Sequence, residues 1–245
     1  MSWLSALEAI FKARKIKVHY DKVKKVYDYS KKIEKADPKK LSWDDLKFFT
    51  NKQMTESTKA ARDALKLAQA AEKTSLEWPV SKSLTLFLDA CKLAEKHGAN
   101  SKQAQTALKK YTGELKAYDK ALKQMLAGLK SSSGELTSNL ALAEALQEYA
   151  GVLNKAFMKC AAVPALGGTA QNAMFFSLAQ DAVQYRGVAG SLATSLKKLQ
   201  KKNADYLKEC QERTKTNQAW ITWASNSKAQ EDGALKKNTK ATLPK

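Results

Sequence analysis

The sequence predicts an all-α protein, an elongated helical bundle, on three observations. Only four prolines and ten glycines interrupt 245 residues that are rich in Ala, Leu, Lys and Gln. Ala and straight-chain side chains lose little freedom in a helix, so this composition favours helix throughout. Period-two runs of Val, Ile and Thr are missing, which removes the usual strand signal. Over long stretches, apolar residues recur at alternating spacings of three and four, as one face of a helix requires.

Taken in order, residues 2–14 read as a short amphipathic helix with Trp3, Leu4, Leu7, Ile10 and Phe11 apolar. A strongly basic helix follows over about 16–36, with Val23, Val26, Tyr27 and Ile33 on its packing side. Asp37-Pro38 ends it, because the residue before proline is pushed out of the helical region. Ser42 is an N-cap, with Asp44 and Asp45 in the first turn where the helix dipole favours anions, and predicts a short helix over 43–52. The next helix, about 55–75, carries an Ala-rich face around Ala61, Ala64, Leu65 and Ala68. Trp78-Pro79 breaks the chain. A helix over 80–97 then places Val80, Leu84, Phe87, Cys91 and Ala94 on one stripe, and Gly98 supplies a C-cap.

Three long antiparallel helices are expected after that, at about 101–130, 134–163 and 169–226. The first starts at Asn100 or Ser101 and has a seam of Ala104, Leu108, Tyr111, Leu115, Tyr118, Leu122, Met125 and Leu129, a heptad pattern without a miss. Ser131 to Gly134 reads as a tight connector, with Ser132 and Glu135 as a capping box that restarts the helix. The second seam runs from Leu136 to Cys160, widened by Leu142, Tyr149 and Ala156. Pro164 and Gly167-Gly168 turn the chain. The third helix returns to heptad spacing from Leu192 to Trp220, with Asn203 and Asn217 as polar seam positions that set register. Residues 1–98 form a basic N-terminal subregion, 99–226 the long-helix core, one domain with the N-terminal part, and 227–245 a disordered basic tail.

Nothing in this pattern points to catalysis, and the protein is expected not to be an enzyme. His19 and His97 are the only histidines, and neither sits in a Glu-x-x-His pair of the di-iron bundle type. Glu144 and Glu148, one turn apart, match any solvated helix face. Cys91, Cys160 and Cys210 are far apart with no CxxC pair, so they read as buried reduced thiols rather than as metal or redox ligands. No glycine-rich loop has the setting of a phosphate cradle. No cofactor, metal or small-molecule substrate is expected. With no secretory signal and no apolar run of transmembrane length, the expected location is cytoplasmic, export without a cleaved signal staying open.

Charge carries the functional reading. The formal net charge is +19, and all but four of the 43 basic residues are Lys. Lysine meets phosphate or carboxylate as a point charge and reads no base sequence. Against this background Cys160 to Leu196 holds only Asp181 and Arg186 as charged groups, where the chain average of 27% would place about ten. Something removes this hairpin from water.

The sequence therefore predicts a non-enzymatic interaction protein that binds another protein, an acidic one, with self-association through the seams as a further route. Trp220 and Trp223 are candidate contacts beside the basic tail, together with Met174, Phe175 and Phe176 on the charge-poor arm. The alternative is a membrane-active protein that uses hairpin 160–196. In layout the chain is similar to helical pore-forming toxins, whose long amphipathic helices flank a charge-poor hairpin. That resemblance implies an anionic membrane as partner. A further alternative is sequence-independent nucleic-acid binding through dispersed lysines.

Overall fold

The computed structural model describes residues 2–12, 15–37, 51–162 and 169–225, and among these all regular structure is helical. Six helices follow in order: α1 (Trp3–Lys12), α2 (Lys15–Lys35), α3 (Asn51–Glu72), α4 (Ser83–His97), α5 (Lys102–Ala161) and α6 (Thr169–Ser225). The protein is thus an all-α bundle. The short helix expected over 43–52, except for its last two residues, which begin α3, the turn at Pro164–Gly168 and the tail from residue 227 lie outside the described residues.

One expectation is overturned. The helices expected at 101–130 and 134–163 are a single helix, α5, of 60 residues. Leu129 and Leu136 are one heptad apart and both fully buried, and Ser132 between them is buried too. Breaking the helix at Ser131 would interrupt that seam. Each buried leucine contributes about 1.5–3 kcal/mol, against about 1 kcal/mol for Gly134 inside a helix. The local hydroxyls bond along the helix instead of capping it: Thr137 Oγ1 donates to the Ser133 carbonyl at 2.9 Å and Ser138 Oγ to that of Gly134 at 3.1 Å. So there are two long helices rather than three, antiparallel to one another, and α6 is likewise unbroken through Gly187 and Gly190.

The chain forms two compact units that do not follow chain order: Met1–Ser75 with Ser132–Lys202, and Leu76–Ser131 with Asn203–Lys245. In the first unit α1 and α2 both pack on α3. Trp3, Leu7 and Ile10 of α1 are fully buried, as are Ala68 and Ala71 of α3. Alanine at these positions lets helices approach closely. The long helices also satisfy carbonyls at the ends of the short ones. Lys159 Nζ donates to the Ala36 carbonyl just past α2 at 2.7 Å, and Lys202 Nζ donates to the carbonyls of Glu72 at 3.1 Å and Thr74 at 2.6 Å at the end of α3. A cation at a helix C-terminus fills orphan carbonyls and meets the negative end of the dipole. Tyr27 stacks on Tyr149 with centroids 4.0 Å apart, and the Tyr20 and Tyr149 hydroxyls are hydrogen-bonded at 2.9 Å, which fastens α2 to α5.

In the second unit the extended segment before α4 is pinned from the long helices. The Lys82 amide donates to Glu114 Oε1 at 2.9 Å, an N-terminal cap supplied by another helix, and the Leu76 amide donates to Tyr206 Oη at 3.3 Å. The Arg213 guanidinium lies over the Trp78 ring at 4.2 Å. Gly98 has φ +88°, and its amide donates to the Ala94 carbonyl at 2.9 Å, which closes α4 as expected. The stripe expected on α4 is only partly right. Phe87, Cys91 and Ala94 are buried, but Val80 is 90% exposed and Leu84 50%. Val80 precedes the first helical turn at Ser83, so helical spacing does not govern its direction.

Candidate interaction surface

The first half of α5 shows how a heptad repeat sorts chemistry onto faces. Leu108, Leu115, Leu122 and Leu129 recur every seven residues and are buried. The residue after each is a lysine: Lys109, Lys116, Lys123 and Lys130, and Lys102 occupies the same position one heptad earlier. All five are exposed. Each step of seven residues advances about 10.5 Å, so the row extends about 42 Å along the helix. Lys110 and Lys120 widen it.

No acid interrupts this face. The exposed positions between Lys102 and Ser131 hold seven lysines and otherwise only small or amide residues such as Thr106, Gly113, Ala117 and Ala127. Neither carboxylate of this stretch is exposed. Glu114 caps α4, and Asp119 is 8% exposed and pairs with Lys123 at 2.7 Å. The lysines stand above short neighbours, so a polyanion meets ammonium groups before it meets other bulk. Nothing on this face is aromatic or contains arginine, so base stacking and bidentate base readout have no residues to act through.

Beside the lysine row lies a groove of about 440 Å³ between α4 and the start of α5. Leu86, Leu93 and Ala107 give it apolar walls, Lys102 and Lys110 border it on the α5 side, and Asp89 stands on the α4 side.

The residues singled out from sequence fall in different settings. In the second unit Trp220 and Trp223 are half-buried and contact each other edge to face at 5.7 Å. Both also pack on Phe87, at 6.4 and 5.9 Å. In the first unit Phe175 is fully buried, Met174 half-buried and Phe176 exposed. Asn203 and Asn217, both fully buried, belong to a ladder with Cys210. Asn203 Nδ2 donates to the Leu129 carbonyl at 3.0 Å, Cys210 Sγ to Leu122 at 3.5 Å, and Asn217 Nδ2 to Leu115 at 2.9 Å. Donors and acceptors both step by seven, in opposite directions, so one antiparallel register satisfies all three bonds.

The lysine row and the groove escaped the sequence reading. The signal for the row was present, a lysine directly after every seam leucine. It was obscured by averaging charge over long windows. The groove had no such signal, because its walls come from two helices.

Among the described residues, the carboxylates and thiols singled out above do not converge. Glu144 pairs with Lys197 at 2.8 Å, while Glu148 accepts from Tyr27 Oη at 3.4 Å. Cys91, Cys160 and Cys210 are buried thiols outside any disulfide, and burial pushes the Cys160 thiol up to about 11, away from the reactive thiolate. Among the described residues no group of three His, Cys, Asp or Glu is placed to hold a metal ion, and no helix is long and apolar enough to cross a membrane. No protein-family model, curated protein or solved structure matches the chain.

Proposed function

We propose that this protein is a non-enzymatic helical scaffold that binds an acidic protein partner through the lysine face of α5. The acid-free exposed surface between Lys102 and Ser131 carries the reading. A solvated helix face normally mixes both signs, because pairs four residues apart stabilise it. Here the positions four residues after the five-lysine row are Thr106, Gly113, Lys120, Ala127 and Gly134. Lys123 pairs with Asp119 one turn earlier at 2.7 Å, and exposed lysines without such a carboxylate contribute little to folding. They steer an anionic partner and raise its association rate by about 10–1,000-fold at low salt. A seven-residue pitch matches carboxylates borne at heptad spacing on another helix.

The test uses poly-glutamate as an acidic polypeptide, with duplex DNA and phosphatidylserine vesicles as competitors at equal charge concentration. The Lys109→Glu, Lys116→Glu, Lys120→Glu triple variant should lose at least about tenfold in affinity. Binding by the native chain should weaken as salt rises. Equal binding by native chain and variant would sink the proposal, as would stronger binding of DNA or vesicles than of the polypeptide.

A membrane-active role is the second reading, and a different surface favours it. On the charge-poor arm of α6, Phe176 is 49% and Val183 56% exposed. These side chains would meet the acyl boundary, with Lys-rich flanks near anionic headgroups. Dye release from phosphatidylserine liposomes tests it, and intact liposomes between about pH 5 and 8 would eliminate it.

A further inference from the structure

We infer that the groove between α4 and α5 receives an amphipathic, acidic α-helix of a partner protein. This inference rests on the acidic-partner reading and specifies the chemistry of that partner. The lysine row attracts any polyanion. The groove beside it does not, because Leu86, Leu93 and Ala107 present apolar surface that phosphate and lipid headgroups cannot fill. A helix with leucines on one side and carboxylates on the other satisfies both features together.

The dimensions agree. Leu86 and Leu93 are one heptad apart on α4, and the α5 wall runs from Lys102 to Lys110. Each wall is about 10–12 Å long, two turns of helix. That length accepts anchors at i, i+3 or i+4, and i+7, the usual spacing of a helix laid in a groove. The rim is asymmetric, with Lys102 and Lys110 on the α5 side and Asp89 on the α4 side. The partner helix therefore carries its carboxylates toward α5, and neutral or basic residues toward Asp89. Carboxylates beyond the groove continue onto Lys109, Lys116 and Lys120, which are exposed on the same helix.

Charge also argues against the chain as its own ligand. Residues 226–245 contain Lys228, Lys236, Lys237, Lys240 and Lys245 against Glu231 and Asp232, so this segment is basic. A second copy brings another net charge of +19 to a cationic rim. The occupant must supply negative charge, and this chain has none to spare.

The experiment uses the full chain and two labelled peptides of about twenty residues with the same Leu and Glu content. One has leucines at helical spacing and the other is scrambled. Fluorescence anisotropy should show the amphipathic peptide binding about tenfold or more tighter than the scramble. Thr106→Trp, at an exposed position on the α5 wall, should fill the slot and abolish that preference while poly-glutamate still binds. Leu93→Gln should act in the same way, with circular dichroism confirming its fold. Lys110→Glu should weaken both peptides.

Equal affinity for the two peptides would overturn the groove assignment and leave the acidic-partner reading standing. Failure of both peptides and of poly-glutamate would overturn the two together. Displacement of the peptide by duplex DNA or anionic vesicles, unaffected by Thr106→Trp, would assign the surface to a phosphate polyanion and overturn the proposal. So would concentration-dependent self-association that Thr106→Trp abolishes, which would place a second copy in the groove.

Discussion

Replacing Asn203 by Asp exchanges a donor for a carboxylate at one end of the ladder. Asn203 is fully buried, and its Nδ2 sits 3.0 Å from the Leu129 carbonyl oxygen. An ionised carboxylate there would face that oxygen at hydrogen-bond distance with no proton between them. A buried charge stripped of its partner costs about 3–5 kcal/mol. Asn203→Leu is the control. Leu129 lies inside α5, where its carbonyl faces the helical amide of Ser133, so losing the Asn amide does not orphan the acceptor. That variant should therefore change stability by no more than about 1.5 kcal/mol.

The pH dependence separates charge from shape. Desolvation raises the carboxyl of Asn203→Asp in the folded state above its unfolded value of about 3.9. At low pH both states are protonated, and the acid can donate to Leu129 as the amide did. As pH rises through about 3.9 the unfolded state ionises while the folded state resists, so stability relative to the native chain falls. Urea unfolding followed by circular dichroism, for native chain and variant at each pH, measures the difference. A cost below about 1 kcal/mol at pH 7, with no pH dependence relative to the native chain, would mean that Asn203 is solvated and that the ladder does not set this packing.

Three other outcomes follow from the same geometry. Lys202→Met removes two charge-assisted bonds to the carbonyls of Glu72 and Thr74, and should cost about 1.5–3 kcal/mol with faster amide exchange near the end of α3; exchange unchanged at residues 68–74 would contradict that capping role. Gly134→Ala, where an added Cβ meets nothing within 4 Å, should stabilise by about 0.5–1 kcal/mol, and a lower melting temperature would contradict an unbroken α5. Tyr111→Phe should be neutral or stabilising, because the Tyr111 hydroxyl is buried without a hydrogen-bond partner. Burial pushes the Tyr111 phenol from 10.0 up to about 12, so the native chain should lose stability as pH rises from 10 toward 12. The variant should show a shallower loss over that range, and equal slopes would contradict the burial of this phenol.

Much of the fold was legible because seam residues announce themselves locally. Trp3, Leu7 and Ile10, Ala61, Ala64 and Ala68 of α3, the leucines from Leu108 to Leu129 and the seam from Leu136 to Cys160 are buried where their spacing places them, while Tyr118 and Met125 of the first seam are half-buried. The misreading at Ser131–Gly134 shows the limit of local signals. Ser132 and Glu135 satisfy the capping-box pattern, but the pattern reports what a helix start tolerates, not that one is present. The unbroken seven-residue step from Leu129 to Leu136 was the stronger signal, because burying both leucines outweighs one glycine.

By itself the sequence determined the helical class, most of the buried faces, the stop at Gly98 and the surplus of lysine, since these depend on propensity and on period along one chain. Tertiary structure alone decided which groups meet across helices. It brought Lys202 to the end of α3, Glu114 to the start of α4, and Asn203 and Asn217 to carbonyls of α5. It also turned Glu114 to the start of α4 and buried Asp119 against Lys123, so that the exposed positions of a locally mixed sequence carry one sign of charge. The physical reason is that period along a helix specifies the direction of a side chain, whereas its partner depends on register and packing between helices distant in sequence.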